Sequence, residues 1–318
     1  MRNILLCAFM AVILMQSLSA NDIYKFIPRN SQQVLQVNLS SIIGMETIKQ
    51  DLIRNVNRQA GLDQKNDKLL NFSDLIEKIV VVTPDLTVDR TYLFVKFKMT
   101  ETEFCRKLEE TAGVKLVTVP GSSPVERRFS FDGEQLFPGA AMKKRTFALA
   151  FLTGNVAIIA KDDLTGYRQI KDTGLSRTKQ LELQKPKKLA AGFVELTPAF
   201  LAENPYLPQI QRAVYSLSAG NDGSLQINAS AVCADEQTAN QTLMQVQQYI
   251  MVGGIVLNQL DPELMQEWLV SVKAVRDQNA VSVNGNFTRS FINRLSEASE
   301  KLAGTLKQAE SADGEKKR

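Results

Sequence analysis

The chain has 318 residues and not one histidine. That absence removes the Ser-His-Asp and Cys-His nucleophile systems, the imidazole general base and nearly all of the usual zinc sites. Cysteine is scarce too. Cys7 falls in the N-terminal apolar run, which leaves Cys105 and Cys233. Two thiols cannot make a four-sulfur metal site or a disulfide framework. One disulfide between them is arithmetically available, although small buried thiols are more often simple packing residues. Glycine lacks the spacing of a phosphate loop: Gly253-Gly254 interrupts a helical pattern with no Lys following, and such a pair marks a kink or a close helix contact. Trp268 is the only tryptophan, and with Leu264, Met265 and Leu269 nearby it reads as a core anchor rather than a platform for a sugar. No cofactor site emerges.

Charge of one sign is also lacking. The 38 Lys and Arg nearly balance the 34 Asp and Glu, a net charge of +4 that is too small for a nucleic-acid binder. Basic clusters at Arg127-Arg128, Lys143 to Arg145 and Lys185 to Lys188 abut Pro or Gly, have no interleaved aromatics and read as solvated loops. Long apolar runs are missing as well. The longest, Ile4 to Met15, has 12 residues, against roughly 20 for a membrane-spanning helix. It follows Arg2 and precedes the small residues Ser17, Ser19 and Ala20, so residues 1–20 read as a secretory signal cleaved after Ser19 or Ala20. Cys7 follows Leu6, where a lipoprotein signal needs a small residue. The expectation is an exported protein, periplasmic or extracellular, with no transmembrane segment in the mature chain. Sparse cysteine points to a bacterial envelope. The sequons beginning at Asn38, Asn71, Asn228, Asn240 and Asn286 would stay bare there, their Asn residues filling wet faces.

What is present is a pattern that recurs. VLQVNLSSI near Val34 and GFVELTPAF near Gly192 both run from an apolar stretch through a hydroxyl residue into helical spacing. In the first half, Val34 to Leu39 is a strand, Ser40 or Ser41 a cap, and Met45, Ile48, Leu52 and Val56 one helical stripe. Lys78 to Pro84 and Thr91 to Lys98 are strands, and Thr100 with Glu103 is a capping box before Phe104 and Leu108. Phe147 to Leu152 and Val156 to Ala160 form a hairpin, apolar on both faces, and Asp162 is expected to cap the next helix. In the second half, Leu189 to Leu196 is the strand, Thr197 the cap and Pro198 the first helical residue. Ala213 to Ala219 pairs with Ser224 to Cys233, Asp235 caps a long helix, and Val272 to Arg276 pairs with Ala280 to Phe287. Thr288 caps the last helix.

The order β-α-β-β-α-β-β-α, read twice, predicts an α+β fold of two tandem units with mainly antiparallel sheets covered by helices on one face. The units are expected over residues 21–175 and 189–304, with a linker over 176–188 and a disordered tail over 305–318. The first unit inserts a hairpin, Lys115 to Pro120 with Glu126 to Asp132. The second extends its helix through Gly253-Gly254 and adds a short helix capped by Asp261-Pro262.

Paired carboxylates are the remaining route to acid and base chemistry. Asp162-Asp163 is the best adjacent pair, yet a helix start gives it a sufficient structural task. Asp85 with Asp89, Asp132 with Glu134, and Asp222 all flank turns. The reading that follows is a non-enzymatic exported protein that binds a protein or envelope component. Its rivals are a carboxylate-dependent glycan-processing enzyme and a carrier of an apolar ligand.

Overall fold

The computed structural model describes residues 22–43, 76–87, 90–112, 115–131, 145–184, 188–204, 209–220 and 222–298. The segment 1–20 read as a signal, the expected stripe from Met45 to Val56, Asn71, Asp89, Gly113, the expected turn from Asp132 to Glu134, Lys143-Lys144, residues 185–187 and the expected tail 305–318 lie outside them. The chain divides into two compact units, Met1–Pro186 and Lys187–Arg318.

In the first unit a 3₁₀ turn, Asp22–Phe26, precedes β1 (Gln33–Val37) and α1 (Leu39–Ile43). The helix starts before the serines expected to cap it. The Asn38 carbonyl accepts from the Ser41 and Ile42 amides at 3.1 and 3.2 Å, and Leu39 packs on the core, which draws it into the first turn. Then come β2 (Ile76–Thr83), β3 (Tyr92–Phe97) and α2 (Glu101–Ala112). The capping box at α2 is as expected: Thr100 N donates to Glu103 Oε2 at 3.0 Å, and Glu103 N to Thr100 Oγ1 at 3.4 Å. The unit continues with β4 (Val117–Thr118), β5 (Glu126–Phe131), β6 (Arg145–Thr153), β7 (Val156–Lys161), α3 (Thr165–Arg168) and α4 (Arg177–Gln184). The strands order as β1-β2-β3-β7-β6-β5-β4, each pair antiparallel.

Two features of this unit differ from expectation. The segment read as a linker is largely helix α4. Its polar composition hides Leu175 and Leu183, which are buried, and Ser176 Oγ accepts from Lys179 N at its start. The sheet is also covered on both faces rather than one. Ile76, Val95, Phe97, Phe151 and Ala157 share a core with Phe104 and Leu108 of α2. By strand alternation Val80, Phe94, Ala148, Ala150 and Ile158 face the other way, and they too are buried. There Tyr167 of α3 meets Phe94 edge to face at 5.7 Å. The β6–β7 hairpin is therefore apolar on both faces because both faces are packed.

The second unit runs β8 (Lys188–Glu195), α5 (Pro198–Glu203), β9 (Ile210–Ala219), β10 (Leu225–Cys233), α6 (Glu236–Leu260), α7 (Pro262–Ser271), β11 (Val272–Asp277), β12 (Ala280–Phe287) and α8 (289–298). Its strands order as β8-β9-β10-β12-β11, again antiparallel. The inner five strands of the first unit have the same connectivity, β1-β2-β3-β7-β6. The caps fall where the sequence puts them. Thr197, Asp235, Asp261 and Thr288 accept from the amides of Phe200, Thr238, Glu263 and Phe291.

Gly253 and Gly254 let α6 and α7 approach closely. A Cβ at 253 would lie 3.2 Å from the Trp268 ring, and Trp268 Nε1 donates to Ile250 O at 2.8 Å. Trp268, Phe287 and Phe291 stack at 5.6 and 4.9 Å between centroids, so the tryptophan anchors the core.

Two outcomes test this packing. The Phe104 ring lies 4.0 Å from Phe97 and 5.8 Å from Phe151, so Phe104→Ala should cost about 3–5 kcal/mol in urea unfolding. Asp85, Glu103, Asp163 and Asp235 accept hydrogen bonds chiefly from backbone amides, and Asp222 chiefly from the Ser224 hydroxyl. All five carboxyls are held below their ordinary range. Depressed folded values stabilise above the unfolded pKa of about 4, and that contribution is lost as pH falls through the folded values. Thermal melts should show a midpoint that declines progressively below about pH 4; a midpoint that rises on acidification would contradict this.

Candidate functional site

The expected acidic pair lies at the end of β7, beside the start of β3, where Ala160 pairs with Tyr92. Asp162 has φ 63°, a left-handed conformation that Asp tolerates better than most residues. Asp162 N donates to Thr146 O, and Asp163 N reaches back to Lys161 O at 2.8 Å, closing a tight turn around Asp162. Asp162 is therefore not the helix cap. The N-cap residue of α3 is Leu164, with no side-chain cap bond. Asp163 does the local work instead: its Oδ1 accepts from Thr165 N at 2.7 Å, which lowers its carboxyl below the usual range, and Arg128 and Arg90 lower it further.

The pair borders a small cleft of about 150 Å³ that Arg90, Tyr92, Lys161 and Gly166 also line. A Cβ at Gly166 would fall on the Arg90 guanidinium and lie 2.9 Å from the Tyr92 hydroxyl, so a larger residue there would displace the Arg90 side chain. Burial raises the Tyr92 phenol, with Arg90 opposing, and pushes the Tyr167 phenol up to about 12. Both therefore hold their protons at neutral pH, and Tyr167 donates to Phe26 O at 2.9 Å. The cleft falls well below the roughly 300 Å³ at which ligand pockets begin.

Beside it, Glu126 of β5 is fully buried and takes two guanidiniums, Arg128 Nε at 2.9 Å on Oε1 and Arg168 Nη2 at 2.7 Å on Oε2. With Asp163 near Arg90 and Arg128, acids and arginines alternate in one network that fastens α3 to β5. A carboxylate matched by two guanidiniums is a fixed acceptor.

A second polar cluster escaped the sequence reading. Lys78 and Lys96 stand directly opposite on β2 and β3, both buried, and Lys96 Nζ lies 3.1 Å from Glu77 Oε1. The Lys78 ammonium sits 5.3 Å from the centroid of the Tyr24 ring. The Tyr24 hydroxyl donates to Gln36 Oε1, and Gln36 Nε2 donates to Asn38 Oδ1 and to Leu183 O. Burial lowers the Lys78 pKa; Glu77 opposes that and Lys96 reinforces it. The signal was available, since IEKIVVVT and YLFVKF each carry one lysine inside an apolar strand.

Cys105 is a half-buried free thiol, and its pKa is raised by burial. Cys233 is a fully buried free thiol packed with Ala239 and Val281. Among the described residues, no cluster of three or more His, Cys, Asp or Glu could hold a metal ion. Nor is any helix among them long and apolar enough to cross a membrane. Comparison with known proteins finds no matching family model, no similar curated protein and no similar solved structure.

Glu126→Gln would leave two guanidiniums facing a neutral amide, with an expected loss of about 3 kcal/mol by chemical denaturation. Asp162→Asn, at an exposed left-handed position that Asn also accepts, should leave the unfolding midpoint unchanged. Equal losses from the two would contradict the structural assignment of this network.

Proposed function

We propose that the chain is an exported, non-enzymatic binding protein made of two copies of one duplicated α+β unit, with a protein or envelope component as its partner. The observation that carries this reading is the employment of the acids. Asp85, Asp163 and Asp222 hold turns, and Glu103, Asp235 and Asp261 hold helix starts. Glu77, Glu101, Glu126 and Glu195 hold basic side chains. A glycan-processing enzyme needs two acids facing each other across a sugar-sized space, with one free to donate. The shared connectivity of five strands and the side-chain caps at the equivalent helices α2 and α6, from Thr100 and Asp235, support the duplication.

The open sheet face of the second unit is the surface best suited to contact. Val281, Val283 and Phe287 of β12 point to the helix-covered side, so Ser282, Asn284 and Asn286 point away from it. Cross-strand registers set Asn228 beside Asn284 and Ser216, and Gln226 beside Asn286 and Ser218. The result is a field of amides and hydroxyls, bordered by Lys273 opposite Asn284, able to donate and accept toward a polar partner.

The test is capture from an envelope or secreted fraction by the tagged mature chain. A reproducible partner is expected, and it should be lost in Asn228→Lys combined with Asn284→Lys, two exposed changes that leave the circular dichroism spectrum intact. Failure to recover any reproducible partner would overturn the binding reading. Full retention by the double variant would overturn the choice of face.

A further inference from the structure

We propose that α6 pairs antiparallel with α6 of a second copy, so that its outward apolar stripe closes a twofold dimer. This goes beyond the reading above and does not depend on it. The inward side of the helix is already occupied: Ala239, Thr242 and Gly254 are buried, and Ile250 and Leu257 pack on the core. The opposite side gathers exposed apolar side chains among the neutral amides Gln241, Gln248 and Gln259. Met244, Met251, Val252 and Ile255 are 62, 53, 55 and 51% exposed, with Tyr249 and Val256 beside them at 74 and 52%. Exposed apolar side chains gathered on the outward side of a helix already packed on its inner side mark a contact surface.

Several observations favour a second copy over other occupants. At about 100° per residue, positions 244, 248, 251, 252, 255 and 259 fall on one stripe. A twofold axis between Met251 and Val252 maps that set onto itself, exchanging Met244 with Gln259, Gln248 with Ile255, and Met251 with Val252. No residue from Gln237 to Leu260 carries a charge, so the mated helices meet without like-charge repulsion. The same lack of Lys and Arg deprives the face of the attraction that holds an interfacial helix to anionic lipid. A charge-free patch containing Met and Tyr has the composition of an interface core. Met244, Met251, Val252 and Ile255 on the stripe, with Tyr249 and Val256 at its margin, are all at least half exposed, so a twofold contact removes apolar surface from both copies at once. Antiparallel mating also sets the positive end of each helix dipole beside the negative end of the other.

Light scattering on the full chain through a micromolar dilution series, after gel filtration, tests this. The expected mass is twice that of one chain. Ile255→Glu should halve it with an unchanged circular dichroism spectrum, because Ile255 is half exposed in the single chain. Register is tested by mixing Gln248→Cys chains with Ile255→Cys chains under mild oxidation, where the mixed disulfide should exceed either self-linked product. A monomer throughout the series, or a dimer indifferent to Ile255→Glu, would overturn the proposal. So would a monomer that binds zwitterionic vesicles and loses that binding in Ile255→Glu, which would give the face to lipid.

Discussion

The fold depends on where the last strand of each unit is inserted. In the first unit β7 enters between β3 and β6, and in the second β12 enters between β10 and β11, so the strand made last lies next to the one made third. The helix that follows the third strand must carry the chain past a strand position left open for the later arrival, about 10 Å across to β11 in the second unit and about 19 Å across to β4, four positions away, in the first. It does so lying on the sheet, and one face of α2 and of α6 is therefore apolar. Phe104 and Leu108 meet that demand in the first unit, and Ala239 with Leu243 and Ile250 in the second. The units then part ways. The first covers both faces of its sheet, whereas the second leaves a field of Asn, Ser and Gln open.

Helix starts and turns in this architecture consume acids. An amide at a first turn has no backbone acceptor, and the chain supplies Asp, Thr or Glu at those places. The same hydrogen bonds that satisfy the amides lower the carboxyl pKa, so an acid that holds a helix start is poorly suited to deliver a proton at neutral pH. Glu126 is committed differently, to the Arg128 and Arg168 guanidiniums at 2.9 and 2.7 Å. These commitments, together with the lack of histidine, are what the proposal of function by contact rests on.

Much of this was legible in the sequence where local chemistry decides. The Thr100–Glu103 box, Thr197-Pro198, Asp235, Asp261-Pro262 and Thr288 name their own helices, because a cap is a bond between residues three apart or fewer. Along β10, Gln226, Asn228 and Ser230 alternate with Leu225, Ile227 and Ala229, which separates the two faces of the strand. What stayed hidden depends on partners distant in sequence. Asp162 looked like a cap, but the return of its amide to Thr146 on β6 turns the chain before the helix begins. The segment around Leu183 looked like a linker until its apolar neighbours are known. The Lys78–Lys96 pair depends on strand register, which spacing along one strand does not contain.

The claim that this protein acts by contact, leaving bonds uncut, is tested most directly by incubating purified mature chain with a panel of envelope polysaccharides and assaying for new reducing ends. The account predicts none above a no-protein control over prolonged incubation. Release of reducing ends that disappears when a single buried acid, Glu126 foremost, becomes its amide while the fold is retained would contradict it.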